Sequence, residues 1–166
     1  MLLRKLAARN WLRNRRRSLI TMAAITFGMA LMDFTICLQH GTYQDMIRSG
    51  VTTINDIWYE PEGLAEAAET AGLRAQIALK VFDVKLEKLY ANDYEWVAAE
   101  GEERLRRGVN FVEKCAASKS RLVTGRIGPH ATDTCSPGLH VEACAEANRL
   151  GVGLHTHVAQ SRQEVE

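Results

Sequence analysis

Residues 51–82 read VTTINDIWYEPEGLAEAAETAGLRAQIALKVF, and this stretch decides the fold. VTTINDIWY (51–59) is rich in β-branched residues and predicts a strand. In EPEGLAEAAETAG, Pro61 suits a first helical turn, the alanines and Leu64 make one helical face, and Gly72 suits the stop just past the last turn. LRAQIALKVF (73–82) alternates. Leu73, Ala75, Ile77, Leu79 and Val81 point one way, while Arg74, Gln76 and Lys80 point the other. A strand, a helix and a second strand at this spacing make a parallel βαβ unit.

The pattern continues downstream. Residues 83–95 mix charges and aromatics without a clear period and predict a long loop or short helix. Residues 96–118 predict a helix with Val97, Leu105, Val109, Val112 and Ala116 as its apolar positions. RLVTGRI (121–127) predicts a strand. GPHATDTCSP (128–137) is rich in turn formers, and Ser136-Pro137 is a helix-start pair. LHVEACAEANRLG (139–151) predicts a helix, VGLHTHVA (152–159) a strand, and SRQEVE (161–166) the start of another helix. Two architectures satisfy this order: a small open α/β sheet, or a piece of a (β/α)8 barrel. A chain of 166 residues is short of the ~250 that a whole barrel takes. No glycine-rich phosphate loop is present, which disfavours a nucleotide-binding doubly wound sheet.

Upstream the texture differs. Residues 1–40 carry seven basic residues (Arg4, Lys5, Arg9, Arg13, Arg15, Arg16, Arg17) and one acid, Asp33. The net charge of +1 therefore hides a basic head on an acidic body. LITMAAITFGMALMDFTICL (19–38) follows the arginines and has the length of a membrane-spanning helix, with the N-terminus inside. A signal peptide and a buried or interfacial helix are the competing readings. The RNRRR run has no interleaved aromatics or binding fold beside it, so nucleic acid is not an expected partner. Cys37, Cys115, Cys135 and Cys144 show no CxxC spacing. They read as buried free thiols.

Chemistry in parallel-strand folds sits at the carboxyl ends of the strands. His130 lies just past the strand at 121–127. His155 and His157 lie on the strand at 152–159, two apart and so on one face. Two imidazoles aimed into a barrel mouth suit Zn²⁺ or Fe²⁺, although a catalytic metal takes about three protein ligands. An ordinary pair of polar residues is the alternative.

GVTTINDIWYEPEGLAEAAETAGLRA, GPHATDTCSPGLH and GLHTHVAQSRQEVE, in this order and spacing, resemble the amidohydrolase superfamily. The branch is that of the S-adenosylhomocysteine/methylthioadenosine deaminases, guanine and cytosine deaminases and triazine hydrolases. The resemblance covers residues 48–166. It implies a partial TIM barrel of strands two to five, a divalent metal (Zn or Fe), and a small heterocyclic substrate hydrolysed at a carbon bearing an amino group or halide. By the same resemblance His157 is a metal ligand, His155 a weaker one, and His130 a substrate contact. Gln160 falls where the family has its proton-shuttling Glu. A Gln amide does not titrate, so the resemblance implies that this acid/base is missing. The family's first-strand His-x-His, sixth-strand His and eighth-strand Asp have no counterpart in residues 48–166, so little turnover is expected of this chain.

LAARNWLRNRRRSLITMAAITFGMAL, with GTYQDMI (41–47) after it, resembles the opening of ABC-transporter permeases of the FtsX/MacB class. The two resemblances meet at DMIRSG (45–50). They imply two parts, 1–47 with a membrane-type helix and 48–166 with the barrel fragment, and the simplest account is a truncated chimera. A membrane-anchored non-catalytic α/β module and a permease fragment are the alternatives. The two parts imply different locations, cytoplasmic for the hydrolase and inner membrane if 19–38 inserts.

Overall fold

The computed structural model describes residues 41–160 except 90 and 92. The basic head, the apolar stretch at 19–38, Cys37 and the helix start expected at 161–166 lie outside the described residues. Among the described residues no helix is long and apolar enough to cross a membrane.

The first described residues, 41–48, are helical. Val51 N–H then closes back on the Met46 carbonyl at 2.9 Å, and Gly50 takes a φ of 88° that suits glycine. The βαβ unit follows as the alternation predicts. Strand β1 is Thr53–Trp58, helix α1 is Pro61–Ala71 and strand β2 is Arg74–Leu79. Pro61 opens α1, and Gly72, with φ 74°, ends it. Leu73, Ala75, Ile77, Leu79 and Val81 are all buried, and Arg74 is exposed. Ala78 is buried too, because the opposite face of the sheet is also packed at this level.

Helix α2, Leu86–Leu89, is the short helix of the charged segment. Helix α3 is Ala98–Ala117, strand β3 is Val123–Arg126, and helix α4 is Pro137–Leu150. Strands β1, β2 and β3 form one sheet in that order, parallel throughout, with Thr53 opposite Arg74 and Ala75 opposite Val123. Tyr43, Leu64, Ala67 and Phe111 pack one end of the sheet, and Leu105, Val112, Leu139 and Ala143 pack the other.

The segment expected as a fourth strand, 152–159, is not a regular strand. It touches the sheet through two isolated parallel bridges, Leu154 with Ile127 and His157 with Ala131. Four residue steps on one side match three on the other, so the β3 extension carries one residue too many. Pro129 lies in that interval and has no N–H to offer a ladder.

The buried stripe of α3 is Gly101, Leu105, Gly108, Phe111 and Val112. Leu105 and Val112 sit where the sequence puts them, but Ala116 is exposed. The stripe's period leads to Cys115, which is half-buried. The glycines set the spacing: a Cβ on Gly125 of β3 lies 2.8 Å from the Val112 Cα. Helix and strand therefore meet backbone to backbone. Of the thiols expected to be buried, Cys135 is and Cys144 is exposed. The buried face of α4 runs through Leu139, Ala143 and Ala147, and position 144 falls outside it.

Candidate active site at the strand ends

The loop from 128 to 136 is stitched to the continuation of β2. Val81 N–H donates to the Gly128 carbonyl at 2.9 Å, and His130 N–H donates to the Val81 carbonyl at 2.8 Å. The Cys135 thiol lies 3.2 Å from the same Val81 carbonyl. Further along, Asp83 and Val84 N–H both donate to the Thr134 carbonyl at 3.3 Å. Turn-forming residues thus become an irregular extension of the sheet, because most of their polar backbone finds partners there.

This stitching fixes His130, which is buried. Its Nδ1 lies 2.8 Å from Thr134 Oγ1. The last segment joins on the other side, with His157 N–H donating to the His130 carbonyl at 2.8 Å and His155 N–H to the Ile127 carbonyl at 2.9 Å. The rings of His130 and His157 are 5.0 Å apart, centroid to centroid, and those of His155 and His157 are 6.1 Å apart. The three histidines singled out from the sequence therefore come together. Burial and then neighbouring His157 push the His155 imidazole below its ordinary pKa, and Asp56 opposes this. Gln160 is exposed and follows Ala159, whose φ of 56° turns the chain.

An aromatic run extends the cluster across the strand ends. His130 meets Phe82 at 6.4 Å, Phe82 meets Tyr59 at 6.1 Å, and Tyr59 meets Trp58 at 5.6 Å. The Lys80 ammonium stands 4.9 Å over the Tyr59 ring. Sequence reasoning passed over these residues, and over Asp83 and Thr134. Lys80 and Phe82 carry a signal, since they share a face just past the end of β2. Asp83 carries a weaker one, an acid immediately after a buried run. Thr134 carries none.

The donor chemistry suits a divalent metal. Two imidazoles stand side by side, and His155 Nδ1 is buried without a hydrogen-bond partner. The number of donors falls short, because no group of three or more His, Cys, Asp or Glu side chains among the described residues is arranged to hold a metal ion.

Histidines and aromatics thus gather at the carboxyl ends of a parallel sheet, the end at which barrel folds carry their ligand sites. The chain belongs to the amidohydrolase family, whose model matches residues 32–166. The match begins within the stretch that the sequence alone aligns with a permease-type opening. The 5-methylthioadenosine/S-adenosylhomocysteine deaminase of Moorella thermoacetica is 33% identical over 122 residues, covering 74% of this chain and 26% of the relative. The 5'-deoxyadenosine deaminase of Methanosarcina acetivorans is 31% identical over 121 residues, covering 73% and 26%. The chain thus spans about a quarter of the length of the curated relatives it matches. An adenosine deaminase from Xanthomonas campestris, solved with bound zinc, superposes with a TM-score of 0.60 at 21% identity over 77% of this chain and 27% of that one. A zinc-complexed atrazine chlorohydrolase from Arthrobacter aurescens superposes at 0.53 with 19% identity, covering 73% and 30%. At these identities the structural likeness shows the fold, an α/β architecture with a parallel sheet like that of amidohydrolase TIM barrels.

Proposed function

We propose that residues 48–166 form the part of a metal-dependent amidohydrolase barrel spanning its second to fifth strands. The reaction is hydrolysis of a small heterocycle at a carbon bearing an amino group, with dechlorination as the variant at a carbon bearing chlorine. A hydroxyl from water replaces the amino group, which leaves as ammonia with water's second proton, or the chlorine, which leaves as chloride while that proton is released. The observation that carries this reading is the meeting of His130, His155 and His157 at the strand ends. Deaminases and a chlorohydrolase among the relatives and solved neighbours support it.

In this reading His157 and His155 hold the metal, Zn²⁺ or Fe²⁺, and His130 addresses the substrate. Bound there, the metal supplies a Lewis acid and a lowered pKa for water. Tyr59, exposed at the strand ends, offers an aromatic surface against which a flat heterocycle packs. Gln160 stands at the acid/base position and cannot exchange protons. With two imidazole donors among the described residues and no carboxylate at position 160, the chain turns over slowly.

The test uses the purified full chain, loaded with zinc and then desalted. Zinc content and ammonia release from 5'-deoxyadenosine and S-adenosylhomocysteine are measured for the native chain, His157→Ala and Gln160→Glu. Weak zinc retention lost in His157→Ala, with turnover raised by Gln160→Glu, supports the reading. Zinc retention or brisk turnover indifferent to His157→Ala overturns it.

A further inference from the structure

We propose that the face of the sheet turned away from α1 and α3 binds a small oxyanion, a carboxylate or a phosphate, with Arg126 as its main contact and Lys80 as a second. This site lies outside the proposed hydrolysis and needs neither metal nor turnover.

Alternation along the strands sorts charge by face. Ala75, Ile77 and Val123 point toward the helices and pack with Leu64 and Phe111. The positions between them carry the cations, Arg74 and Lys80 on β2 and its continuation and Arg126 at the end of β3. Arg74 Nε donates to Thr53 Oγ1 at 3.2 Å, and Arg126 Nε donates to Gln76 Oε1 at 2.9 Å, which ties both guanidiniums to this face. Lys80 stands over the Tyr59 ring. Acids of the same strands and their extensions turn to the helix side. Tyr43 OH donates to Asp56 Oδ2 at 2.9 Å, Glu60 meets Arg107 of α3 at 3.4 Å, and Asp83 bonds Ser136, the cap of α4. Helix α3 leaves Asp83 its room, since a Cβ on Gly101 would lie 2.8 Å from the Asp83 Cβ.

Ion pairing follows the same division. Every Lys and Arg of α2, α3 and α4 meets a carboxylate, whereas Arg74, Lys80 and Arg126 take part in no ion pair among the described residues. Arg126 is also half-buried. A charge taken partly out of water is unfavourable without a counter-charge, and this one is held in place. Gln76 fixes its Nε, and the guanidinium lies against Gly153, where a Cβ would collide with Nη1. A guanidinium held at Nε still has its terminal nitrogens for the paired oxygens of a carboxylate or phosphate. Lys80, two residues past the Ala78 that partners Arg126, adds an ammonium on a flexible stem. An arginine serving only as packing would meet an acid here, and the strand positions of this face carry none.

The experiment follows the arginine Nε–Hε signals of the full chain, without metal, at neutral pH and constant ionic strength. Inorganic phosphate and acetate are titrated separately. The Arg126 signal is expected to move and saturate, while that of Arg104, paired with Glu100, stays in place. Phosphate affinity, read from ³¹P line widths, should fall by about tenfold or more in Arg126→Gln and by about threefold in Lys80→Gln. It should be unchanged in Lys119→Gln, which removes an exposed cation from the turn before β3. Saturation by phosphate alone identifies a phosphorylated ligand, by acetate alone a carboxylate, and by both the charge and fork geometry that the two share. A native Arg126 signal indifferent to both anions overturns the proposal, and that result needs no variant to fold. Equal losses in Arg126→Gln and Lys119→Gln also overturn it, because they would reduce the binding to general charge. If zinc binding and turnover fail while phosphate or acetate still saturates Arg126, the proposed reaction is wrong and the anion site stands.

Discussion

Gly128 sits where the loop carrying His130 leaves the sheet, and it has no room for a side chain. A Cβ there would lie 2.4 Å from the Leu79 carbonyl oxygen and 2.8 Å from the Ala78 Cβ. Neither neighbour is the end of a flexible side chain, so the strands themselves would have to part. Gly128→Ala is therefore expected to destabilise by about 1–3 kcal/mol, read as a lowered urea midpoint with an unchanged slope. Gly63, in the first turn of α1 with nothing within 4 Å of its Cβ position, is the control, and Gly63→Ala should stabilise slightly. Equal behaviour of the two variants would mean that the Gly128 contacts do not constrain the fold. At this scale the sequence announced the histidines by their spacing. It did not announce Thr134, because a threonine in a polar loop looks alike whether it faces water or a ring nitrogen.

Between β2 and α3 the chain makes an excursion that is closed by charge. Glu95 bonds both Lys85 and Lys88, and Lys88 also reaches Asp93 at 3.5 Å. Backbone bonds close the base, Lys85 N–H to the Glu95 carbonyl at 2.9 Å and Val97 N–H to the Asp83 carbonyl at 2.7 Å. The hydrogen bonds from Lys85 and then Lys88 lower the Glu95 carboxyl from 4.5 to about 2. A lowered carboxylate stabilises the folded form above its unfolded pKa and loses that contribution as pH falls through the folded value. The clasp should hold above pH 4.5 and weaken progressively toward pH 2. Amide hydrogen exchange across residues 84–97 checks this. Glu95→Gln should speed exchange at neutral pH, and its difference from the native chain should close over that window. A difference that persists at pH 2 would place the effect elsewhere. The excursion was legible as a loop or short helix, but its closure depends on partners ten residues apart that no local period reveals. The strand missing at 152–159 has a similar cause. Its alternation is genuine, but a ladder also needs a regular partner, and Pro129 with the extra residue before Ala131 denies it one.

Taken whole, the described chain packs through two clusters on the sheet. Binding adds RT ln(1 + [L]/Kd) to stability. Two imidazoles make a weak site, so zinc near its dissociation constant should contribute less than about 1 kcal/mol. Thermal unfolding of the full chain should therefore move by no more than a few degrees on adding zinc, and a chelator should leave it folded. Unfolding by a chelator would show that metal, held with donors beyond the described residues, is structural.

The βαβ order, the helix stops at Gly72 and Gly151, the cap at Ser136 and the family resemblance across residues 48–166 were all determined by sequence alone. Each rests on a local period, a short motif or a residue's own backbone preference, and these are written along the chain. Only the tertiary structure decided that His130 and His157 come within 5.0 Å, that Asp83 and Thr134 stand behind His130, and that the last segment bridges the sheet without joining it as a strand. Those outcomes depend on how distant segments share buried space and hydrogen-bond partners. That competition is settled in three dimensions, where a missing N–H at Pro129 or a missing Cβ at Gly101 counts as much as any side chain.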